Sequence, residues 1–577
     1  MKLLNWKMGQ ALLAVIAVAV LGACTGGNQS PEDARKAAVK AAAEFSLLDM
    51  VPADSPYVMA ASRRMPEKLA EKLLEGSASD IVRIRASLDN SMGQAADDRL
   101  VRLLRAMLSE FDGKMTPEGL KTLGLPINGR MLAYGLGVLP VAWLEIEDPA
   151  KVKAMIERIE ANSGMKAEKL ARGKIGYRRI PMDKLVAVLA VTDEWMIFAL
   201  LPAKSEQELL PFALGEESPK TSLLDTGGFK DFVEQRKFLG YGDGYIDLVR
   251  LADMFLGNAE GINATVLEAM GVTPEKLSPA CIGFVKSQVR SVPLLSAGFT
   301  ELSDSGYTIT GTVETSPAVG GWLKKMAAAV PGVGIRSDAA FTLGMGLNLP
   351  QMRDGLKALM RNFIENGKGC EMVDAQSITQ AMRGMDMVLN PMVAGIKGFN
   401  LEVTDLQIDP QTLSPEAVDS RLLVSSVDPK GLFGLLGMLN PQFAQLDIPA
   451  DGTPVKLPME ALLPTAPATY AAIKGELLVL STGPGAPGDV SKTLESPVAE
   501  VPPLLAFGYN PKKLLESAAP TLQGMIASMP KQEATELDSL YNSLKAEAEL
   551  YNYGDFRLLG TDSGLRFTAS VEFNEGN

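Results

Sequence analysis

An internal duplication constrains the fold of this chain more than any other feature, because the same patterns occur twice in the same order. Residues 143–149 correspond to residues 423–429 at an offset of 280, and both segments end in Asp-Pro followed by apolar residues at helical spacing. Residues 304–314 correspond to residues 562–572 at an offset of 258, and both segments begin with Asp-Ser-Gly. The smaller offset near the C-terminus is what loop deletions in one copy would produce. The sequence therefore predicts two lobes of one architecture.

Each copy has a strand and a helical region, then a strand, the Asp-Pro helix, a hairpin, a strand-helix unit and a closing hairpin. Strands joined by hairpins pair antiparallel, so we expect an α+β fold in which each lobe is a largely antiparallel sheet with helices packed on one face. Lobe one is expected at residues 49–318, a connecting helix and turn at 319–336, and lobe two at 337–577. The apolar segment 185–201 is interrupted by Thr-Asp-Glu, which predicts a hairpin rather than a membrane span.

The N-terminus of the chain has the organisation of an export signal. Two lysines precede the apolar run 11–21, which is too short to span a bilayer as a helix. The run closes with Leu21-Gly22-Ala23-Cys24. This pattern predicts a signal peptide at residues 1–23, and the alternative is an ordinary secretory signal with a chance cysteine.

The motif at residues 21–24 resembles the lipobox of bacterial lipoproteins, in which the cysteine sulfur receives a diacylglycerol and the new amino terminus is acylated, for example with palmitate. The resemblance implies that Cys24 is the lipidated first residue of the mature chain and that the membrane is a partner through this lipid. Thr25 in place of Asp implies delivery to the outer membrane, with the body facing the periplasm. Several acyl chains anchor a protein stably, because each buried methylene contributes about 0.8 kcal/mol. Residues 24–48 are then expected to form a tether and a short helix that begins at Ser30-Pro31.

Composition excludes several classes of function. The chain contains no histidine, which rules out Ser-His-Asp and Cys-His centres and histidine-ligated metals. A net charge of −13 without a basic block argues against nucleic acid as a partner, since phosphate binding needs a concentrated cationic surface. No glycine string has phosphate-binding spacing and no acidic loop has EF-hand spacing, so we expect no cofactor and no metal.

Two patterns in the sequence are candidates for catalysis. Asp148 and Asp428 occur at the same place in both copies, but each precedes a proline at a helix start, which predicts capping. The strings Ser163-Gly-Met-Lys166 and Ser528-Met-Pro-Lys531 have the Ser-x-x-Lys spacing of serine acyl-enzymes of the penicillin-binding type. The chain lacks the Lys-Thr-Gly element of that chemistry. The sequence therefore predicts no catalytic residues and no enzyme.

Cys281 and Cys370 are the cysteines that remain after lipidation, one in each predicted lobe. In an oxidising periplasm they are a possible disulfide that joins the lobes. Two unpaired thiols are the alternative, because the apolar surroundings of Cys281 are typical of a buried thiol.

A methionine-rich segment carries Met372, Met382, Met385, Met387 and Met392. Methionine fills irregular cores and also lines adaptable apolar grooves, and we favour the core. The alternative is a cleft between the lobes that accepts an acyl chain or an apolar peptide.

The opening Val51-Pro-Ala-Asp-Ser-Pro-Tyr57, with its repeated strand-helix units, is similar to a loosely defined family of uncharacterised extracytoplasmic bacterial proteins. That resemblance implies the fold and no activity. We therefore expect a lipid-anchored cell-envelope protein whose non-enzymatic body binds or scaffolds an envelope protein or an apolar ligand. The alternatives are a carrier of an apolar or lipid ligand and a histidine-free hydrolase that uses carboxylates or Ser/Lys.

Overall fold

A computed structural model describes residues 30–76, 99–271, 277–389, 394–408, 415–439, 441–459 and 467–574. The signal peptide, Cys24 and Met392 lie outside the described residues. The chain divides into two compact units. Unit one comprises the chain up to Leu277 together with Leu294–Ile309. Unit two comprises Ser278–Pro293 and Thr310–Asn577.

Unit one begins with the helix that the Ser-Pro pattern predicts. The Ser30 side chain accepts a hydrogen bond from the backbone N–H of Asp33, and Pro31 occupies the first helical turn. The elements of unit one are α1 (Pro31–Glu44), β1 (Tyr57–Ala61), α2 (Arg99–Phe111), α3 (Pro117–Leu123), β2 (Met131–Leu136), β3 (Leu139–Glu145), α4 (Pro149–Ser163), β4 (Glu168–Arg172), β5 (Ile175–Met182), β6 (Leu185–Val191), β7 (Trp195–Pro202), α5 (Glu206–Ala213), α6 (Gly228–Arg236), β8 (Asp243–Asp247), α7 (Leu248–Asp253), α8 (Gly261–Ala269) and β9 (Leu294–Ser303).

The strands of unit one pair antiparallel in the order β4-β5-β6-β7-β3-β2-β1-β8-β9. Its main core lies on one face of these strands, where Ala38 of α1 and Phe229 of α6 are buried with Tyr134 of β2. A second core lies on the other face, where Val152 of α4 packs near Val191 of β6. Both faces of the sheet are therefore covered.

Unit two contains two long helical hairpins in addition to its strands. Its elements are α9 (Pro279–Ser291), β10 (Gly306–Glu314), α10 (Pro317–Met326), β11 (Phe341–Gly346), α11 (Leu349–Asn366), α12 (Ala375–Val388), β12 (Ile396–Ile408), β13 (Pro415–Ser426), α13 (Pro429–Leu439), α14 (Pro441–Ala444), β14 (Val455–Lys456), β15 (Thr469–Lys474), β16 (Leu477–Thr482), α15 (Ala486–Leu494), β17 (Leu505–Tyr509), α16 (Pro511–Ser528), α17 (Lys531–Leu550), β18 (Tyr551–Thr561) and β19 (Gly564–Phe573). The strands pair antiparallel in the order β14-β15-β16-β13-β12-β11-β17-β18-β19.

The strand order of unit two repeats that of unit one when β11 is matched with β1 and β17 with β8. This correspondence supports the internal duplication, which stays a prediction. The α+β class with a large antiparallel sheet is confirmed. The expectation of a separate sheet in each lobe is wrong, because all 19 strands belong to a single sheet and β10 pairs both with β9 and with β19.

The expectation that helices pack on only one face of each sheet is also wrong. Leu478 and Val479 are neighbours in β16 and therefore point to opposite faces of the sheet. Leu478 packs in a core with Phe433 of α13, whereas Val479 packs in a different core with Val490 of α15. The physical reason is the continuous apolar sequence of β16, which suits a strand buried on both faces rather than on one.

Candidate functional site

Cys281 and Cys370 are joined in a disulfide whose Cα atoms are 4.5 Å apart. The Ser278 side chain caps α9 by accepting a hydrogen bond from the Cys281 N–H at 3.3 Å. Phe284 of α9 meets Phe363 of α11 edge to face, with ring centroids 4.6 Å apart. Both cysteines belong to unit two, because α9 is grouped with that unit, so the expected link between the lobes is wrong.

One group in the described part of the chain has a composition that suits a metal ion, and the disulfide determines whether this group can bind one. The group consists of Cys281, Cys370 and the carboxylate of Glu371. Cysteine binds metals as a thiolate, and both sulfur atoms are already committed to the S–S bond. Glu371 instead accepts a hydrogen bond from the Ser278 hydroxyl at 3.1 Å. In the oxidised protein this group has a single available metal ligand.

The paired aspartates have the geometry of helix caps. Asp148 accepts the backbone N–H groups of Ala150 and Lys151 at 3.0 and 3.2 Å, and Asp428 accepts that of Gly431 at 2.8 Å. The hydrogen bond from Lys151 is the main reason that the pKa of Asp148 lies below its usual value. These contacts use the carboxylates to satisfy helix N–H groups, as the sequence predicts.

The Ser-x-x-Lys strings do not present an exposed nucleophile in the first copy. Ser163 is buried at the end of α4, and its hydroxyl donates to the Glu160 carbonyl at 3.2 Å. The Ser528 hydroxyl donates to the Met525 carbonyl at 3.0 Å. Each hydroxyl is thus engaged with its own helix backbone.

Buried glutamates form ion pairs in unit one. The guanidinium of Arg130 lies 2.9 Å from Glu145, and Arg64 contacts the same carboxylate. Burial acts to raise the pKa of Glu145, but the hydrogen bonds and charges of these arginines outweigh burial and lower the pKa. Glu110 has the same arrangement with Arg158, at 2.8 Å. Such pairs hold elements together rather than offer a free acid.

Asp243 is a buried acid without an ion pair of this kind. It lies at the start of β8, where its Oδ2 accepts the Gly240 N–H at 2.7 Å, and the backbone N–H groups of Phe299 and Tyr241 also act to lower its pKa. Burial raises the pKa of Asp243 to about 7. Asp243 was not among the sequence-predicted candidates, although it lies between two glycines in a turn-to-strand segment.

A shallow polar pocket with a cavity volume of about 10 Å³ lies on one face of the central strands of unit two, lined in part by Thr342, Asn400, Tyr553 and Arg557. Side chains largely fill it, since a Cβ on Gly508 would lie 2.3 Å from the Tyr553 hydroxyl. Ligand sites usually occupy about 300 to 1,000 Å³. This pocket is too small for an organic ligand.

The opposite face of the same strands is an apolar surface that we call the apolar rows. Paired residues of an antiparallel sheet point to the same face, so the strand registers align two rows across six strands. The first row is Leu422, Leu401, Leu343, Phe507, Phe556 and Ala569, on β13, β12, β11, β17, β18 and β19. The second row, on the same strands, is Val424, Phe399, Met345, Leu505, Leu558 and Phe567.

The apolar rows are incompletely covered. Phe507 is 39% exposed although it is the middle residue of β17, which has a strand on each side. The other eleven side chains of the rows are half-buried, and none is fully buried. Tyr134, also in a strand with neighbours on both sides in unit one, is fully buried. The contrast marks the rows as a surface that lacks part of its cover.

Helix α10 covers one end of the rows. A Cβ on Gly560 of β18 would lie 2.1 Å from the Leu323 carbonyl of α10, so only glycine allows this close approach. The 18-residue helix α11 contains no buried residue, and the methionines of the adjoining segment are not core either. Met372 and Met387 are 52% and 78% exposed. The prediction of a methionine core is wrong for Met372 and Met387, whereas Met382 and Met385 are half-buried.

The apolar rows were not predictable from the sequence, because they depend on the register between strands. Each strand shows only a short alternating pattern, and the pairing of β11 with β17 joins residues more than 160 positions apart. No helix in the described part of the chain is both long enough and apolar enough to cross a bilayer. Comparison of the chain with known protein families, with curated proteins and with solved structures finds no match.

Proposed function

We propose that this chain is a lipid-anchored protein of the bacterial outer membrane whose periplasm-facing body binds an apolar ligand on the apolar rows of unit two. The observation that carries the proposal is Phe507, a large aromatic side chain in the middle of a paired strand that remains 39% exposed. Contiguous exposed apolar surface on a folded protein marks an interaction site. A ligand on the rows would complete their burial.

Binding accounts for the polar groups better than hydrolysis does. The aspartates shared by the two copies cap helices, Glu145 and Glu110 are paired with arginines, and Ser163 is buried. A carboxylate hydrolase needs two acids that converge on one site with different pKa values. Asp243 is held by backbone N–H groups, and Asp489, whose charge acts to raise the pKa of Asp419, is itself paired with Arg421 and Lys492. The contacts therefore favour a carrier or binding protein.

Scaffolding is the second candidate, and the exposed methionines favour it. Met372 and Met387 lie in and beside the amphipathic helices α11 and α12, where a flexible thioether surface suits protein partners. Cross-linking in the envelope, with Met387→Lys as the matched variant, tests this candidate. Loss of one cross-linked partner in the variant supports scaffolding, and unchanged cross-links contradict it.

The anchor rests on the lipobox resemblance at Cys24. Metabolic labelling with an alkyne fatty acid should label the wild-type protein and not Cys24→Ser, and the variant should leave the membrane fraction. Cys370→Ser, which removes a cysteine of unit two, is the control and should keep the label. Equal labelling of wild type and Cys24→Ser would contradict the proposed anchor.

The ligand is tested on the purified full chain by extracting it with organic solvent and weighing the extract by mass spectrometry. A stoichiometric apolar compound in the wild type that is depleted in Phe507→Glu supports the proposal. Val501→Glu is the matched control, because Val501 is an exposed apolar residue outside the rows. An extract with no apolar compound other than the anchor, together with no uptake of added apolar dye, would contradict ligand binding.

A further inference from the structure

We infer that Cys281, Cys370 and Glu371 form a binding site for zinc, or a similar thiolate-binding divalent cation, that opens when the disulfide between the two cysteines is reduced. The inference goes beyond the proposed function and does not depend on the apolar rows. It follows from the positions of the sulfur atoms and the carboxylate, from the chemistry of thiolate ligands, and from the backbone that holds the three residues.

The three side chains have nearly the spacing of a tetrahedral zinc site. The Sγ atom of Cys281 lies 3.3 Å from Oε2 of Glu371. Zinc–sulfur bonds of about 2.3 Å and zinc–oxygen bonds of about 2.0 Å at tetrahedral angles place a sulfur and an oxygen ligand about 3.5 Å apart. The ligand atoms of all three residues lie within 4.8 Å of one another. A metal ion therefore requires little movement of the carboxylate relative to the Cys281 sulfur.

The disulfide is the group that keeps this site closed. Both sulfur atoms are committed to the S–S bond, whereas two thiolates on one zinc ion lie about 3.8 Å apart. A dithiol opens the bond by thiol–disulfide exchange, in which the dithiol becomes a disulfide and two thiols are left on the protein. A divalent cation then displaces the two thiol protons, which are released to solvent.

Backbone hydrogen bonds hold both cysteines without help from the S–S bond. Cys281 lies in the first turn of α9, where its N–H donates to the Ser278 hydroxyl at 3.3 Å. Cys370 lies in a turn, in which its N–H donates to the Gly367 carbonyl at 3.0 Å and its own carbonyl accepts the Val373 N–H at 3.1 Å. The edge-to-face aromatic contact joins α9 to α11. The ligands therefore stay near one another after reduction.

The donor set selects the type of metal ion. Thiolates favour zinc over calcium and magnesium, which prefer oxygen ligands. Two thiolates and one carboxylate around a divalent cation leave one negative charge, which the N-terminus of α9 beside Cys281 stabilises. The Ser278 hydroxyl lies 3.1 Å from the Glu371 carboxylate, so this hydroxyl or a water molecule can complete four ligands.

The site is accessible from one side. Cys281 is fully buried and Cys370 is 5% exposed, whereas Glu371 is exposed. Lys368 and Gly369, which precede Cys370 in its turn, are exposed as well. A hydrated cation therefore meets the Glu371 carboxylate first and reaches the sulfur atoms beneath it.

The test uses the full chain, extracted in detergent, with cobalt as a spectroscopic probe for zinc. The chain is reduced with a phosphine and freed of the excess without air, and cobalt should then give a saturable cobalt–thiolate absorption at one ion per chain. Zinc should abolish this absorption, and the oxidised chain should show none. Cys370→Ser should lose the absorption, whereas Cys24→Ser should keep it.

The role of the carboxylate is tested separately. Glu371→Ala should weaken the affinity of the reduced chain for cobalt at least about 10-fold, measured by competition with a chelator. Glu365→Ala is the matched control, because Glu365 is an exposed acid on α11 of the same unit. Its affinity should equal that of the wild type.

Several outcomes would overturn the inference. The first is a reduced, folded chain without cobalt–thiolate absorption, and the second is equal absorption in the oxidised chain, which would place the metal elsewhere. Equal affinity of wild type and Glu371→Ala would overturn the three-ligand site. Loss of the folded circular dichroism on reduction, or equally tight binding in urea, would show that the fold does not hold the ligands in place.

Discussion

Protonation of Asp243 should control the stability of unit one near neutral pH. Burial raises the pKa of this acid from 3.8 to about 7 in the folded protein. Between these two values the folded state binds a proton that the unfolded state does not, so stability falls as pH rises from about 4 to 7 and is level above 7. The difference between the two pKa values corresponds to about 4 kcal/mol at full ionisation.

Asp243→Asn removes this dependence, because an amide stays neutral and can still accept the Gly240 N–H through its oxygen. We expect the variant to gain about 4 kcal/mol relative to wild type between pH 4 and pH 8. Urea unfolding at four pH values, followed by the fluorescence of Trp143 and Trp195 in unit one, measures the difference. Asp231→Asn, at an exposed site of the same unit, is the control and should show no comparable change.

A difference between wild type and Asp243→Asn that is the same at pH 4 and at pH 8 would refute the reasoning. It would mean that the Asp243 carboxyl is ionised in the folded state throughout, with its charge compensated by Arg63. The guanidinium of Arg63 donates to the Leu239 carbonyl at 3.0 Å and acts to lower the pKa of Asp243. In that case Arg63→Met would destabilise unit one more at pH 8 than at pH 4.

Three further changes have calculable effects. Replacing Cys281 and Cys370 by alanine opens an 89-residue loop and should lower the free energy of unfolding of unit two by about 2–4 kcal/mol. Calorimetry with and without reductant measures this loss. If reductant destabilised the variant as much as the wild type, the prediction would be contradicted. Glu145→Gln leaves two arginines without their anionic partner and should lower the free energy of unfolding by about 1–3 kcal/mol at pH 7. Urea titrations should show that this loss becomes smaller below pH 4, where the wild-type carboxylate is itself protonated, and a loss that does not change with pH would contradict the prediction. Asp148→Ala should lower the free energy of unfolding by about 1 kcal/mol because the helix cap is lost, whereas Asp148→Asn, which can still cap, should lower it much less. Equal losses for the two variants in thermal melts would contradict the capping role.

Local features of the fold were predictable where a short sequence pattern determines them. Ser30-Pro31 begins α1, the aspartates before proline cap α4 and α13, and the Thr-Asp-Glu interruption separates β6 from β7. Each of these depends on residues within one turn or one hairpin. The antiparallel α+β class followed for the same reason, because hairpins set strand direction.

Long-range features were not predictable from those patterns. The continuity of the sheet depends on β10 having two partners, and nothing in the sequence of β10 indicates a second one. The assignment of α9 to unit two moved Cys281 away from the lobe in which its sequence position placed it. The apolar rows require the register of six strands. Sequence periodicity gives the face of a residue within a strand and not the neighbour on the next strand.

In the apolar rows the sequence pattern and the observed packing disagree. Elsewhere local pattern and packing agree, as in the capped helices and in the strands of unit one whose apolar residues are buried. In β17 the pattern of Leu505, Phe507 and Tyr509 predicts a buried face, and yet Phe507 remains exposed. Natural chains depart from consistent packing mainly where function requires it. An incompletely covered apolar surface on a sheet loses burial free energy in the empty protein, and an apolar ligand bound there would restore it, as the proposed function requires.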